Sequence, residues 1–123
     1  MRLPCTTVRP IRCTRLEALV QRMGLTVVQG NRMGHLLGPD ISKGKALATL
    51  KRHLGAEQVK VLALGDSPND LPLLEVADIA VVVPGPDGPH PEMRSGIAAG
   101  RFQLAAAPHA HGWDEAVRRI LRI

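Results

Sequence analysis

Apolar positions recur along this chain with two periods. Leu16, Leu19, Val20 and Met23 fall at i, i+3, i+4 and i+7, which predicts a helix over 15–24 that ends at Gly24. Leu25 to Gln29 is rich in β-branched residues, Gly30-Asn31 reads as a two-residue turn, and Met33 to Leu37 returns, so a hairpin is predicted. Pro39 and Asp40 break the chain. "SKGKALATLKRHLG" then predicts a helix capped by Asp40 or Ser42 and stopped by Gly55, with Ala46, Leu47, Leu50 and Leu54 as its apolar face. Val59 to Leu64 is a continuous apolar strand of the kind buried on both faces of a parallel sheet. "LPLLEVA" reads as a short helix with Pro72 in its first turn, and Ile79 to Val83 as a second buried strand. After a Pro/Gly loop, "GWDEAVRRILRI" predicts a last helix with Trp113, Val117, Ile120 and Leu121 on one side. Trp113 and Phe102 are expected as core anchors. Strands alternating with helices define an α/β class. Met1 to Thr14 follows neither period and is expected to be a loop or an unstructured start.

Composition narrows the function classes. The 123 residues make one small domain, with 45% hydrophobic and 22% charged residues. No apolar run approaches the roughly 18 residues that span a bilayer, so no membrane partner is expected. The start carries no apolar h-region, and the cytoplasm is the expected compartment. Cys5 and Cys13 form no Cys-x-x-Cys motif and read as free thiols. The net charge of +5 raises nucleic-acid binding, but there is no Tyr, one Phe and one Trp, so platforms for base stacking are lacking. Attraction of a small anionic substrate explains the charge better.

Chemistry concentrates in "GDSPND". Asp66 follows the carboxyl end of a predicted buried strand, the edge where open α/β sheets bind ligands. Asp70 opens the next helix four residues later, and a turn between them can aim both carboxylates at one point. Two carboxylates plus water suit Mg²⁺, while Ser67 and Asn69 add groups able to orient a phosphate. The same spacing also fits two structural caps, Asp66 on a turn and Asp70 on a helix. His109 and His111 lack a third ligand in sequence and read as a polar loop, and His53 and His90 as surface.

"GDSPNDLPLLEVADIAVVV" resembles the fourth motif of the haloacid dehalogenase superfamily of phosphatases, and "SKGKAL" its third motif. "VVQGNRMGHLLG" is similar to a cap-domain hairpin, "VVVPGPDGP" to the loop after the fourth motif, and "LAAAPHAHGWDEAVRRIL" to a C-terminal segment, of the mannosyl-3-phosphoglycerate phosphatase family. The resemblance covers residues 15 to 123. It implies a partial Rossmann-like parallel sheet with helices over 42–123, preceded by a cap-domain remnant over 15–41, with 1–14 outside both. It further implies Mg²⁺-assisted transfer of a phosphoryl group to an aspartate, followed by hydrolysis. In that scheme Asp66 ligates Mg²⁺, Asp70 supports the metal or its waters, and Lys43 offsets charge on the moving phosphoryl group. Ser67 and Asn69 touch the phosphate or hold the loop. Gly30, Arg32 and His35 sit where a cap contacts the glycerate or sugar of a phosphorylated sugar-glycerate; a solvated hairpin is the other reading of Arg32 and His35.

One departure matters. The family's nucleophile lies in an Asp-x-Asp motif, and the aspartates here, at 40, 66, 70, 78, 87 and 114, contain no such pair. The expectation is therefore a truncated or split gene product, inactive alone, with the nucleophile-bearing half as its partner. A non-catalytic remnant, or a module that binds phosphorylated ligands, is the alternative. The Val59 to Leu64 strand is expected to have an open apolar edge.

Overall fold

The computed structural model describes residues 14–30 and 32–123. The loop expected at the start therefore lies outside the described residues, as do Cys5 and Cys13; Thr14 already opens the first helix, α1 (Thr14–Arg22). Gly24, with φ +72°, closes that helix as its position predicts. The apolar face expected of α1 is only partly covered. Val20 is buried, whereas Leu19 and Met23 are exposed.

The hairpin is present as β1 (Thr26–Gln29) and β2 (Gly34–Leu37), antiparallel, with Val28 opposite His35. Its turn differs from expectation. Gln29 pairs with Gly34, so four residues connect the strands rather than two, and the Gly30 N–H donates to the Met33 carbonyl at 2.8 Å. The two-residue reading came from a Gly-Asn signal that here sits at the start of a longer connection.

The second helix, α2 (Lys43–His53), is capped by Ser42, whose hydroxyl accepts from the Lys45 N–H at 3.2 Å. Its buried residue is Gly44, while Leu50 and Leu54 of the expected apolar face are exposed. The reason is close packing at the other end of the helix. A β-carbon at Gly44 would lie 2.3 Å from the Pro72 carbonyl oxygen, so α2 meets α3 (Leu71–Val76) backbone to backbone at its first turn.

The core is a parallel sheet in the order β3-β4-β5, with β3 (Leu62–Gly65), β4 (Ile79–Val82) and β5 (Gln103–Leu104). The α/β class is thus borne out. The β3 strand is shorter than the expected Val59 to Leu64 run, and Val59 is exposed. The Asp78 carboxylate accepts from the Val61 N–H at 2.7 Å and so defines where the ladder starts. Among the described residues β3 pairs only with β4, which leaves the anticipated open edge. That edge also explains why Leu62 and Leu64 are half-buried rather than buried.

The central β4 strand divides two clusters. Ala63, Leu74, Ala80, Val82, Met93 and Phe102 pack on one face; Val81, Val83, Ala105 and Ala116 pack on the other. Between β4 and β5 run a 3-10 turn (Pro91–Met93) and α4 (Arg94–Ala98), neither of which has a clear apolar period in sequence. The last helix, α5 (His109–Leu121), begins three residues before the expected start. It buries Gly112 and Ala116. Phe102 is an anchor as expected, but Trp113 is not: it is 51% exposed, because the face with small side chains is the one that turns inward. Among the described residues no helix is long and apolar enough to cross a membrane.

The Gly44 contact gives a test. Gly44→Ala is expected to destabilise the fold by about 1–3 kcal/mol, since the neighbour is backbone and cannot rotate away. Urea unfolding of the variant beside wild type measures this, and an unchanged midpoint would contradict the close approach.

Candidate active site at the carboxyl edge of the sheet

The site grows from the end of β3. Gly65 is its last residue, and a β-carbon there would fall 2.5 Å from Asp70 Cβ. Its bare backbone lets the chain turn back on itself, through a 3-10 turn at Pro68–Asp70, until the Asp70 carboxylate lies beneath the strand end. There, Asp70 Oδ2 accepts from the backbone N–H groups of Asp66 (3.0 Å) and Ser67 (3.3 Å). Asp70 Oδ1 accepts from Lys43 Nζ, delivered by the first turn of α2. Ser67 and Asp70 are buried, while the Lys43 side chain is half-exposed. Burial disfavours the charged form of Asp70 most. The Lys43 hydrogen bond, the Asp66 N–H, the Lys43 charge and the Ser67 N–H together outweigh it and hold the carboxyl below its usual range.

The remaining groups are arranged around this knot. The Ser67 hydroxyl donates to Asn69 Oδ1 at 2.6 Å, which leaves the Asn69 amide nitrogen as a donor. Asn69 and Lys43 line a cavity of about 540 Å³ between the hairpin, α2 and the turn, together with Val28, His35, Leu37 and Pro72. On the other side, Asp66 and Asp70 line a cavity of about 310 Å³ with His109 and Trp113. A third, of about 180 Å³, again borders Asp66, with His90, His109 and the Pro84–Gly88 loop. The Lys43–Asp70 pair therefore joins the two larger cavities: one partner faces each.

Of the residues singled out in sequence, Lys43, Asp66, Ser67, Asn69 and Asp70 come together at one sheet edge. His35 lines the cavity that Lys43 and Asn69 share. Gly30 lies against the His35 ring, where a β-carbon would be 2.5 Å from Nε2. Arg32 is exposed and lines none of these three cavities. Asp66 and Asp70 differ in what they can offer a cation. Both Asp70 oxygens are engaged by hydrogen bonds, whereas Asp66 enters the network through its N–H, is exposed, and borders two of the cavities. A hard carboxylate at a solvent-exposed edge fits Mg²⁺, which keeps most of its waters. Among the described residues no three His, Cys, Asp or Glu side chains converge to hold an ion by themselves, so waters or ligand oxygens would complete any shell. Sequence reasoning missed Gly44 and Gly65, whose role is spacing, and set His109 and Trp113 aside. The Gly-Asp pair ending an apolar strand was the available signal for Gly65.

Residues 13–84 match the family model of haloacid dehalogenase-like hydrolases. The chain belongs to that family. A glucosyl-3-phosphoglycerate/mannosyl-3-phosphoglycerate phosphatase of Persephonella marina is 30% identical over 110 residues, 86% of this chain and 39% of that protein. A phosphoglycolate phosphatase of Methanothermobacter thermautotrophicus is 38% identical over 87 residues, 71% of this chain and 36% of that protein. The solved sucrose-phosphatase of Synechocystis, a complex with sucrose and phosphate, superposes with a TM-score of 0.63 at 26% identity, over 86% of this chain and 45% of that one. The likeness to mannosyl-3-phosphoglycerate phosphatases read from the motifs is thus borne out as a likeness. The chain spans less than half the length of each of these proteins.

The Asp70 knot has a measurable signature. Asp70→Ala is expected to lower stability by about 1–3 kcal/mol, because the buried Ser67 N–H and the part-buried Asp66 N–H lose their acceptor. Because the folded-state pKa of Asp70 is lowered, its contribution is present above the ordinary carboxyl value and is lost as pH falls through the lowered one. Urea titrations over an acid pH series should show a smaller loss of stability in Asp70→Asn than in wild type; equal slopes would contradict the assignment.

Proposed function

We propose that this chain carries the charge-handling half of a phosphomonoester phosphatase site. The carrying observation is the convergence of Lys43 on Asp70 beside the exposed Asp66, at the carboxyl edge of a parallel sheet in a haloacid dehalogenase-like hydrolase. In this reading residues 42–123 form the core half of the site and 15–41 a cap remnant above it.

Lys43 offers a point charge to phosphoryl oxygens from the larger cavity, and Asp70 holds that ammonium in place. Asn69 donates its amide to the phosphate, and Ser67 orients Asn69. Asp66 is the carboxylate that holds Mg²⁺, with Asp70 shaping the loop behind it; the bound ion would neutralise charge on a phosphoryl oxygen. His35, seated on Gly30, would reach the organic part of the substrate, and the exposed Arg32 on the same hairpin would meet a carboxylate from solvent. The substrate class is a phosphorylated sugar-glycerate, supported by the Persephonella relative's name. A mannosylglycerate-forming reaction in the cytoplasm follows from that reading.

The nucleophilic aspartate is not among the 123 residues in Asp-x-Asp form. It would enter on polypeptide outside these 123 residues, as a strand along the edge of β3 that is unpaired among the described residues, with its carboxyl end beside Asp66. Without that strand the same residues make a module that binds phosphorylated ligands and does not turn them over.

The lone tryptophan provides a readout, because Trp113 shares a cavity with Asp66. Tb³⁺, a hard-cation substitute, is expected to show tryptophan-sensitised emission with the purified chain and to lose it in Asp66→Asn. The chain alone should release no phosphate from mannosyl-3-phosphoglycerate with Mg²⁺. Supplied with an Asp-x-Asp polypeptide, it should turn over, with Asp66→Ala abolishing the rate and Lys43→Ala lowering it by about 10²–10³-fold. Wild-type rates in either variant would refute these roles.

A further inference from the structure

We propose that the larger cavity holds the organic part of its ligand by an apolar face rather than by hydroxyl groups, so that it takes an aromatic phosphomonoester at least as tightly as a phosphorylated sugar. This rests on the reading of Lys43 as the group that meets the phosphate. The cavity measures about 540 Å³, within the range of roughly 300–1,000 Å³ that small-ligand sites occupy. Its walls are apolar: Val28 and Leu37 from the hairpin, Ile41 from the connection to α2, Ala46 from α2 and Pro72 from α3. Side chains alternate along β2, so Leu37 and His35 share one face, while Leu36 turns the other way and is exposed. Ile41 is 61% exposed and Ala46 is exposed as well, so the walls keep apolar surface in water for a ligand to cover.

The polar residues of the wall are few and mostly committed. Among the described residues they are His35, Ser42, Lys43 and Asn69. The Ser42 hydroxyl caps α2 by accepting from the Lys45 N–H at 3.2 Å. Lys43 Nζ is held by Asp70, and Asn69 Oδ1 accepts from the Ser67 hydroxyl, so the remaining donors of Lys43 and Asn69 mark the anionic end. The edge of the His35 ring that carries Nε2 lies against Gly30, where a β-carbon would be 2.5 Å away. A sugar with several hydroxyl groups therefore meets few partners, and a hydroxyl covered without one is penalised. A flat aryl ring has no such group to satisfy and matches the apolar walls.

The test is an NMR titration of the full chain with phenyl phosphate, glucose 6-phosphate and inorganic phosphate. Phenyl phosphate is expected to bind about tenfold more tightly than inorganic phosphate and no more weakly than glucose 6-phosphate. Its ring current should shift the Ile41 and Leu37 methyl signals, which inorganic phosphate leaves in place. Ala46→Leu, on an exposed helical position that tolerates leucine, puts a larger side chain into the wall and should remove the advantage of the aryl ester. Lys43→Met should weaken all three ligands. Phenyl phosphate that binds no tighter than inorganic phosphate, or more weakly than glucose 6-phosphate, with binding still dependent on Lys43, would overturn the apolar recognition alone. So would an advantage that survives Ala46→Leu, or Ile41 and Leu37 methyl signals that stay in place, since the ring would then lie elsewhere. Inorganic phosphate that fails to bind, or binds equally well in Lys43→Met, would overturn the Lys43 reading itself.

Discussion

Everything at the carboxyl edge of this sheet depends on one buried carboxylate. Asp70 accepts from two backbone N–H groups of the loop that carries it and from an ammonium on a different helix. A buried charge is tolerated only when its hydrogen bonds are filled. Here the partners are the groups whose positions matter: the loop bearing Asp66 and the first turn of α2 bearing Lys43. Satisfying Asp70 and building the site are therefore the same event.

Two absent side chains make that event sterically possible. Gly65 lets Asp70 come back under the strand end, and Gly44 lets α2 approach α3 until Lys43 is in range. The close approach explains why α2 leaves Leu50 and Leu54 in solvent: the helix is pinned by its first turn rather than by its apolar stripe. α5 shows the same preference. Gly112 and Ala116 face inward, and Trp113 is left beside the Asp66 cavity.

The site is asymmetric in what it contains. It has the exposed Asp66, the Lys43 ammonium and the Asn69 amide, and its larger cavity is walled mainly by apolar residues of the hairpin and α2. Among the described residues, the outer edge of β3 is unpaired and runs alongside. An unpaired strand edge in a parallel sheet is an unstable surface and a template for another strand.

Much of this was legible in the sequence. The periods of the apolar residues marked every long element, and the Asp66–Asp70 spacing after an apolar run marked the site, because local turn chemistry and strand burial are encoded by near neighbours. Boundaries were less legible. The start of β3 waits on the Asp78 carboxylate 17 residues away, and the hairpin connection on a register that pairs Gln29 with Gly34. The sequence by itself determined the α/β class, the order of elements and which residue types could meet a phosphate. Tertiary structure alone decided that Lys43 pairs with Asp70 across 27 residues, that Trp113 stays outside the core, and that His109 borders Asp66. Periodicity reports which face of an element is apolar, but which face is buried depends on how closely two backbones approach, and that distance is set by small residues far apart in the chain.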